Sequence, residues 1–175
     1  MNSPAATVVL EPVALSHAPP LQVLAGDPAV AATTRIVHPY PPGQAEKFIR
    51  VRMREREDGL SWVFAVKLAD EVVGVCGLLE ITPRRVAEIG YWIGRPYWGR
   101  GLATQAVADT LRFSFGPLAL REVFAKCLAD NHGSRRVLEK NGFWHAGSEP
   151  HHVPHWPATT PLLIYRATGA AFLPG

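Results

Sequence analysis

At 175 residues the chain is long enough for one domain with a core of its own, needing neither metals nor disulfides to hold it. Hydrophobic residues at 47% exclude a disordered polymer. A net charge of +3 is compatible with a phosphate-rich ligand, an acidic partner or nucleic acid and is too small to choose among them.

The N-terminus lacks a basic leader region, and Glu11 interrupts its apolar run, so no signal peptide is expected. Thr7 to Pro12 reads as a short strand. Residues 14–41, rich in Ala and Pro, suggest one or two short helices, with Asp27-Pro28 as a turn or helix start. From Gly43 to Asp58, Ala45, Phe48, Ile49 and Met53 fall on one helical face; Glu46 precedes Arg50 by four, and Gly59 supplies the stop. The arginines at 52, 54 and 56 read as the solvated side of that helix.

Three strands should follow, at 61–68, 71–81 and 86–93, as an antiparallel meander. Ala69-Asp70 has hairpin spacing and Thr82–Arg85 makes a polar turn. Lys67, Asp70 and Glu71 break the apolar stretch near 62–79, so no membrane span is expected. A helix over about 101–115 presents Leu102, Ala103, Ala106, Val107 and Leu111 to the core. A strand at 121–128, a short helix at 131–140 closed by Asn141-Gly142, a strand opening at Phe143–Gly147 and a last one at 162–166 complete the chain. Strand 86–93, helix 101–115 and strand 121–128 form a β-α-β unit, whose strands should be parallel. The fold class expected is α/β (α+β): a mixed, mostly antiparallel sheet flanked by helices, in a single domain 1–175 with an irregular arm (1–6) and tail (169–175). Cys76 and Cys127 sit in strand-like runs and read as buried free thiols, which suits a reducing cytoplasm.

The turn at Trp98, Gly99, Arg100, Gly101, Leu102, Ala103 and Thr104 leaves a strand and opens a helix. Two glycines there allow successive N–H groups to converge at the positive end of a helix, which is an anion site suited to a pyrophosphate. No Gly-Lys-Ser/Thr of a P-loop occurs, and the third glycine of a dinucleotide fingerprint is missing. On these grounds alone an ordinary glycine-rich turn remains an alternative.

The stretch AEIGYWIGRPYWGRGLATQAV, followed by ADNHGSRRVLEKNGF, resembles the GNAT acetyltransferase superfamily, and within it the RimJ/RimL type that acetylates protein N-termini. The strong part of the resemblance covers about 86–143. It implies the GNAT fold with a β-α-β acetyl-CoA-binding core, and strands splayed between 86–93 and 121–128. Acetyl-CoA is the implied cosubstrate and no metal is implied. Trp98–Ala103 would occupy the family's Q/R-x-x-G-x-G/A signature; Trp98 stands where many relatives have Gln or Arg, as is common in the RimJ/RimL type. Residues 100–104 would hold the pyrophosphate. Trp92 and Ile93 would pair with the pantetheine arm, N–H groups near Ile93 facing the thioester carbonyl. Asn131 and Ser134 match an N-x-x-S pattern, in which Asn131 binds near the pantetheine and Ser134 meets the sulfur.

Acetyl transfer to an amine needs a base for the amine and an acid for the thiolate. Glu88, on one strand face with Gly90 and Trp92, is the candidate base. It matches a catalytic glutamate in an A-E-I stretch of histone-acetylating relatives. A strand carboxylate paired with Arg84, Arg85 or substrate is the alternative. A water is the other candidate for the proton, because an α-amine has a pKa of about 7.7–8.0. Ser134 is the candidate acid; capping of the short helix is the structural role open to Asn131. Neither cysteine is expected near Glu88 or Ser134, so direct attack in a ternary complex is favoured over an acetyl-cysteine. His145, His151, His152 and His155 fit no zinc spacing and read as a stiff loop near the active site.

The expected acceptor is a protein N-terminus or a small-molecule amine, bound between 14–58 and 147–160. Membrane association is not expected, nucleic acid is a lesser reading, and a homodimer would accord with the resemblance. Two rival functions are a non-catalytic acyl-CoA-binding regulatory module and a ribosome- or RNA-associated binding protein, the latter resting only on charge.

Overall fold

The computed structural model describes residues 7–171. The arm 1–6 and residues 172–175 of the expected tail lie outside them, and Gly169–Ala171 form a 3-10 turn. Strands β1 (Val8–Pro12), β2 (Trp62–Leu68), β3 (Glu71–Leu79) and β4 (Val86–Ile93) run antiparallel in sequence order. The Ala69-Asp70 hairpin is present, with Leu68 paired to Glu71. β5 (Glu122–Leu128) lies parallel to β4, as the crossover by helix α4 (Leu102–Phe115) requires. β7 (Leu162–Thr168) returns antiparallel beside β5, and β6 (Trp144–Glu149) takes the outer edge. The order β1-β2-β3-β4-β5-β7-β6 is the mixed, mostly antiparallel sheet expected.

Alternating side chains divide the core between the two faces. Val63 and Ala65 of β2 face helices α1 (Ala18–Ala25) and α3 (Gln44–Glu57), meeting Leu21, Ala45 and Ile49. Val66 faces the other way, into the core that holds Leu102, Ala106, Val107 and Leu111 of α4 and Leu138 of α5 (His132–Lys140). Each fully buried aliphatic side chain contributes about 1.5–3 kcal/mol. A four-residue helix, α2 (Pro28–Ala31), is capped by Asp27, which accepts from the Ala29 N–H at 2.8 Å.

The arginine series of α3 departs from the expectation of a solvated face. Arg54 is exposed. Arg52 instead packs its guanidinium over Phe48 and pairs with Glu55, and Arg56 lies over Trp62. Guanidinium groups stack on aromatic faces in this way. No helix among the described residues is long and apolar enough to cross a membrane.

The contact between the two halves of the sheet is short. β4 and β5 pair at only three positions, Val86–Glu88 with Glu122–Phe124, although both strands continue for several residues more. Beyond Glu88 the strands diverge and leave a gap in the middle of the sheet.

Candidate active site

The glycine turn forms the floor of the site. Gly99 and Gly101 both have φ +74, in the left-handed region that favours glycine. Gly101 is the N-cap of α4 and offers no side chain to its first N–H groups, which have no acceptor within the helix. An anion is what such a helix end lacks. Arg100, Arg136 and Lys140 border the same cavity, the last two one turn apart on α5. This cationic cradle fits the diphosphate and phosphate groups of CoA. Arg136 and Lys140 are absent from the residues expected on sequence grounds; their i, i+4 spacing on a helix is the signal that points to them.

The gap between β4 and β5 fits the arm of that cofactor. The Gly94 N–H donates to the Val73 carbonyl at 2.8 Å, so the backbone groups of Gly94, and by alternation those of Trp92, point toward β3. Those of Tyr91 and Ile93 therefore point into the gap. This corrects the expectation for Trp92, whose backbone is spent on β3. Its side chain packs with Val75 and Phe48 on the α3 side. Trp98 lies at the mouth of the gap, and its indole Nε1–H donates to the Ile93 carbonyl at 2.6 Å.

A single cavity of about 990 Å³ joins these parts; Glu88, Ile93, Trp98, Gly101, Thr104 and Ser134 all border it, as do Trp92, Gly99, Leu102, Ala103 and Asn131. On the α5 side, the Asn131 side chain accepts from the Ser134 N–H at 3.0 Å and so caps α5. Ser134 Oγ lies 2.7 Å from the Tyr91 hydroxyl, which is also 3.3 Å from the Ser134 carbonyl. Burial pushes the Tyr91 phenol well above its ordinary range, so it stays protonated. Sequence pattern alone does not reveal Tyr91, because it assigns that face of β4 only to the core.

The expectation that neither cysteine approaches Ser134 is corrected. Cys127 borders the cavity alongside Ser134. Burial raises its thiol to about 11, with Ser134 opposing the rise. It is a poor nucleophile at neutral pH. Cys76 is a buried free thiol bonded to Thr110 at 3.1 Å.

Glu88 sits where β4 and β5 part, on the face opposite Tyr91. Its partner is neither Arg84 nor Arg85. Arg35, from the irregular segment after α2, places Nη2 at 3.0 Å from Glu88 Oε1. That segment is anchored from afar: His155 Nε2 bonds the carbonyls of Ala31 and Thr34 at 3.1 and 3.0 Å. His151 is likewise engaged, with Nδ1 accepting from the Val153 N–H and Nε2 bonded to the Pro157 carbonyl. His155 and His151 both meet the edge of the buried Trp156 ring, and His145 packs on Tyr165 of β7. The 150–160 loop is thus stapled onto the Arg35 segment, near the site as expected. Among the described residues no three His, Cys, Asp or Glu side chains converge as a metal site.

The chain matches the acetyltransferase (GNAT) domain model over residues 7–144. It is similar to the uncharacterized N-acetyltransferase p20 of Bacillus licheniformis, 39% identical over 83 residues and 47% of each chain. It is also similar to a ribosomal-protein-serine acetyltransferase of Escherichia coli K12, 31% identical over 98 residues and 55% of each chain. The chain spans about half the length of these curated relatives. Among solved structures it resembles Mycobacterium smegmatis RimJ in complex with CoA-disulfide, with TM-score 0.87, 26% identity, and coverage of 98% of this chain and 86% of that one. The L7/L12 acetyltransferase RimL with coenzyme A gives TM-score 0.84 at 20% identity, covering 93% and 94%. The phosphate cradle, the gap in the sheet and these likenesses agree: the chain belongs to the GNAT acetyltransferase family, with its structural likeness to RimJ and RimL.

Proposed function

We propose that the protein transfers an acetyl group from acetyl-CoA to a primary amine by direct attack in a ternary complex. The observation that supports this most is the single cavity, which links the phosphate cradle at the start of α4 to Glu88 and Ser134 across the gap. Acetyl-CoA supplies an activated thioester; a bond forms between the amine nitrogen and the acetyl carbon while the carbon–sulfur bond breaks.

The residues divide the remaining work. Residues 100–104 and the first N–H groups of α4 hold the diphosphate. The Ile93 N–H, turned into the gap, is placed to donate to the carbonyl oxygen as negative charge develops there. Glu88, directly or through a water, takes the proton that the amine loses. Ser134 gives a proton or a hydrogen bond to the departing sulfur, and the protonated Tyr91 hydroxyl beside it supports that donation. Asn131 holds Ser134 in place through its backbone N–H.

The acceptor enters from the α3 side, where Arg35, Tyr40, Phe48 and Trp156 border the cavity. A protein N-terminus or a small amine suits this reading. The Escherichia coli relative is named for a ribosomal protein, and a structural neighbour from Vibrio cholerae is a spermidine N-acetyltransferase in complex with CoA and spermine. A cytoplasmic setting accords with both. Calorimetry with acetyl-CoA, CoA, NAD and ATP tests the cofactor: selective binding of acetyl-CoA and CoA is expected, and a screen of amines and N-terminal peptides then finds the acceptor. No binding of acetyl-CoA would leave the fold without the activity.

A further inference from the structure

Glu88 is a mostly buried carboxylate, with its side chain 11% exposed, and it already has a cationic partner. Arg35 is half exposed, at 51%, and comes from a segment with no regular structure. Its backbone is held nonetheless. Thr34 Oγ1 donates to the Val30 carbonyl at 2.8 Å and accepts from the Ile36 N–H at 3.2 Å, while His155 grips the carbonyls of Ala31 and Thr34 in that turn. The protein therefore fixes the root of Arg35 and leaves its guanidinium at the acceptor side of the cavity.

An incoming amine and Arg35 compete for one carboxylate. Among the described residues the only other carboxylate bordering the cavity is Asp130, next to Asn131 at the α5 end. When Glu88 turns to an amine, Arg35 loses its partner in a partly desolvated place. A simple monoamine leaves that cation unpaired, and a polyamine adds further cations. An acceptor that brings its own carboxylate exchanges one ion pair for two. Arg35 and Glu88 are in direct contact, so the two charges of such an acceptor must lie close together.

We propose that Arg35 is the residue that selects the acceptor, and that it selects amines carrying a carboxylate within a few bonds of the nitrogen. This rests on the acetyl-transfer reading above. The same chemistry is offered by a free amino acid and by a peptide N-terminus followed by an acidic residue. It disfavours polyamines, which are all cation. Arg35 holds the acceptor in position and takes no part in the proton transfers.

The test compares kcat/KM for matched acceptors with wild-type protein, Arg35→Ala and Arg35→Lys. One pair is leucine and isopentylamine, which differ by the carboxylate; the other is the amidated dipeptides Ala-Asp and Ala-Asn; spermidine is a fifth acceptor. Wild type is expected to favour the carboxylate-bearing member of at least one pair by about tenfold or more. The first pair would identify free amino acids, and the second acidic peptide N-termini. Arg35→Ala should bring the ratio near one, mainly through KM, and Arg35→Lys should restore part of it. A merely structural role for Arg35 would lower both members alike. The proposal is overturned if wild type shows no preference in either pair, if the preference survives in Arg35→Ala, or if spermidine is the best acceptor; acetyl transfer itself then still stands. Transfer to none of the five overturns the proposal for Arg35, and acetyl transfer itself is then decided by the wider amine and peptide screen.

Discussion

The hydroxyl of Tyr91 and Oγ of Ser134 lie 2.7 Å apart, joining β4 to the start of α5 across the gap where the two halves of the sheet separate. Two neutral hydroxyls in contact can pass a hydrogen bond along. If Tyr91 donates to Ser134, the serine proton is free to face the sulfur. Ser134→Ala should lower kcat about ten- to a thousandfold while changing stability by only about 1 kcal/mol. Tyr91→Phe should lower it less. The double variant should be no slower than Ser134→Ala alone, because the two act as one unit. Steady-state kinetics with a thermal melt on each variant checks this; additive losses would separate the two residues.

Glu88→Gln keeps the shape of the side chain and removes its charge. The expected result is a fall in kcat of about ten- to a hundredfold, with the affinity for acetyl-CoA unchanged because Glu88 lies away from the cradle. If Glu88 is the base, an acceptor of lower amine pKa should lose less than one of higher pKa, and if a water is the base both should lose little. Rates measured with an α-amine and a lysine-type amine, about 8 and 10.4 in pKa, distinguish the two.

Gly101 has φ +74 and open space where a Cβ would stand, so its backbone and not crowding restricts the position. Asparagine tolerates that conformation and is isosteric with aspartate. Gly101→Asp should abolish acetyl-CoA binding by setting a carboxylate against the diphosphate, while Gly101→Asn should retain much of it. Calorimetry of the two variants separates charge from backbone strain; equal losses would count against the cradle.

Cys76 is fully buried, and burial pushes its thiol from an ordinary 9.0 to about 12, only partly offset by its hydrogen bond to Thr110. The folded protein keeps this proton between those values, whereas the unfolded chain releases it. The stabilisation is complete below about pH 9 and is lost progressively toward 12, by about 1.4 kcal/mol per pH unit. Urea unfolding at pH 8, 9 and 10 should show the decline, and Cys76→Ala should make it shallower. A slope equal to the wild type's would remove Cys76 as a cause.

The elements built from local pattern are legible in the amino-acid sequence. The apolar face of α4, the hairpin at Ala69-Asp70 and the glycine turn at 99–101 depend on spacing and on backbone angles that few residues adopt. The resemblance at 86–143 points to Glu88, Asn131 and Ser134, and all three border one cavity with the glycine turn.

What the tertiary structure alone decided are contacts between residues far apart in the chain. Arg35 reaches Glu88 because His155, some 120 residues on, holds the segment that carries it. Tyr91 meets Ser134, and Cys127 borders the same cavity, because β4 and β5 part after three paired residues. The position of β7 between β5 and β6 is also non-local. Sequence periodicity reports which face of an element turns inward. Which residue of a distant segment meets that face is settled only when the chain has packed.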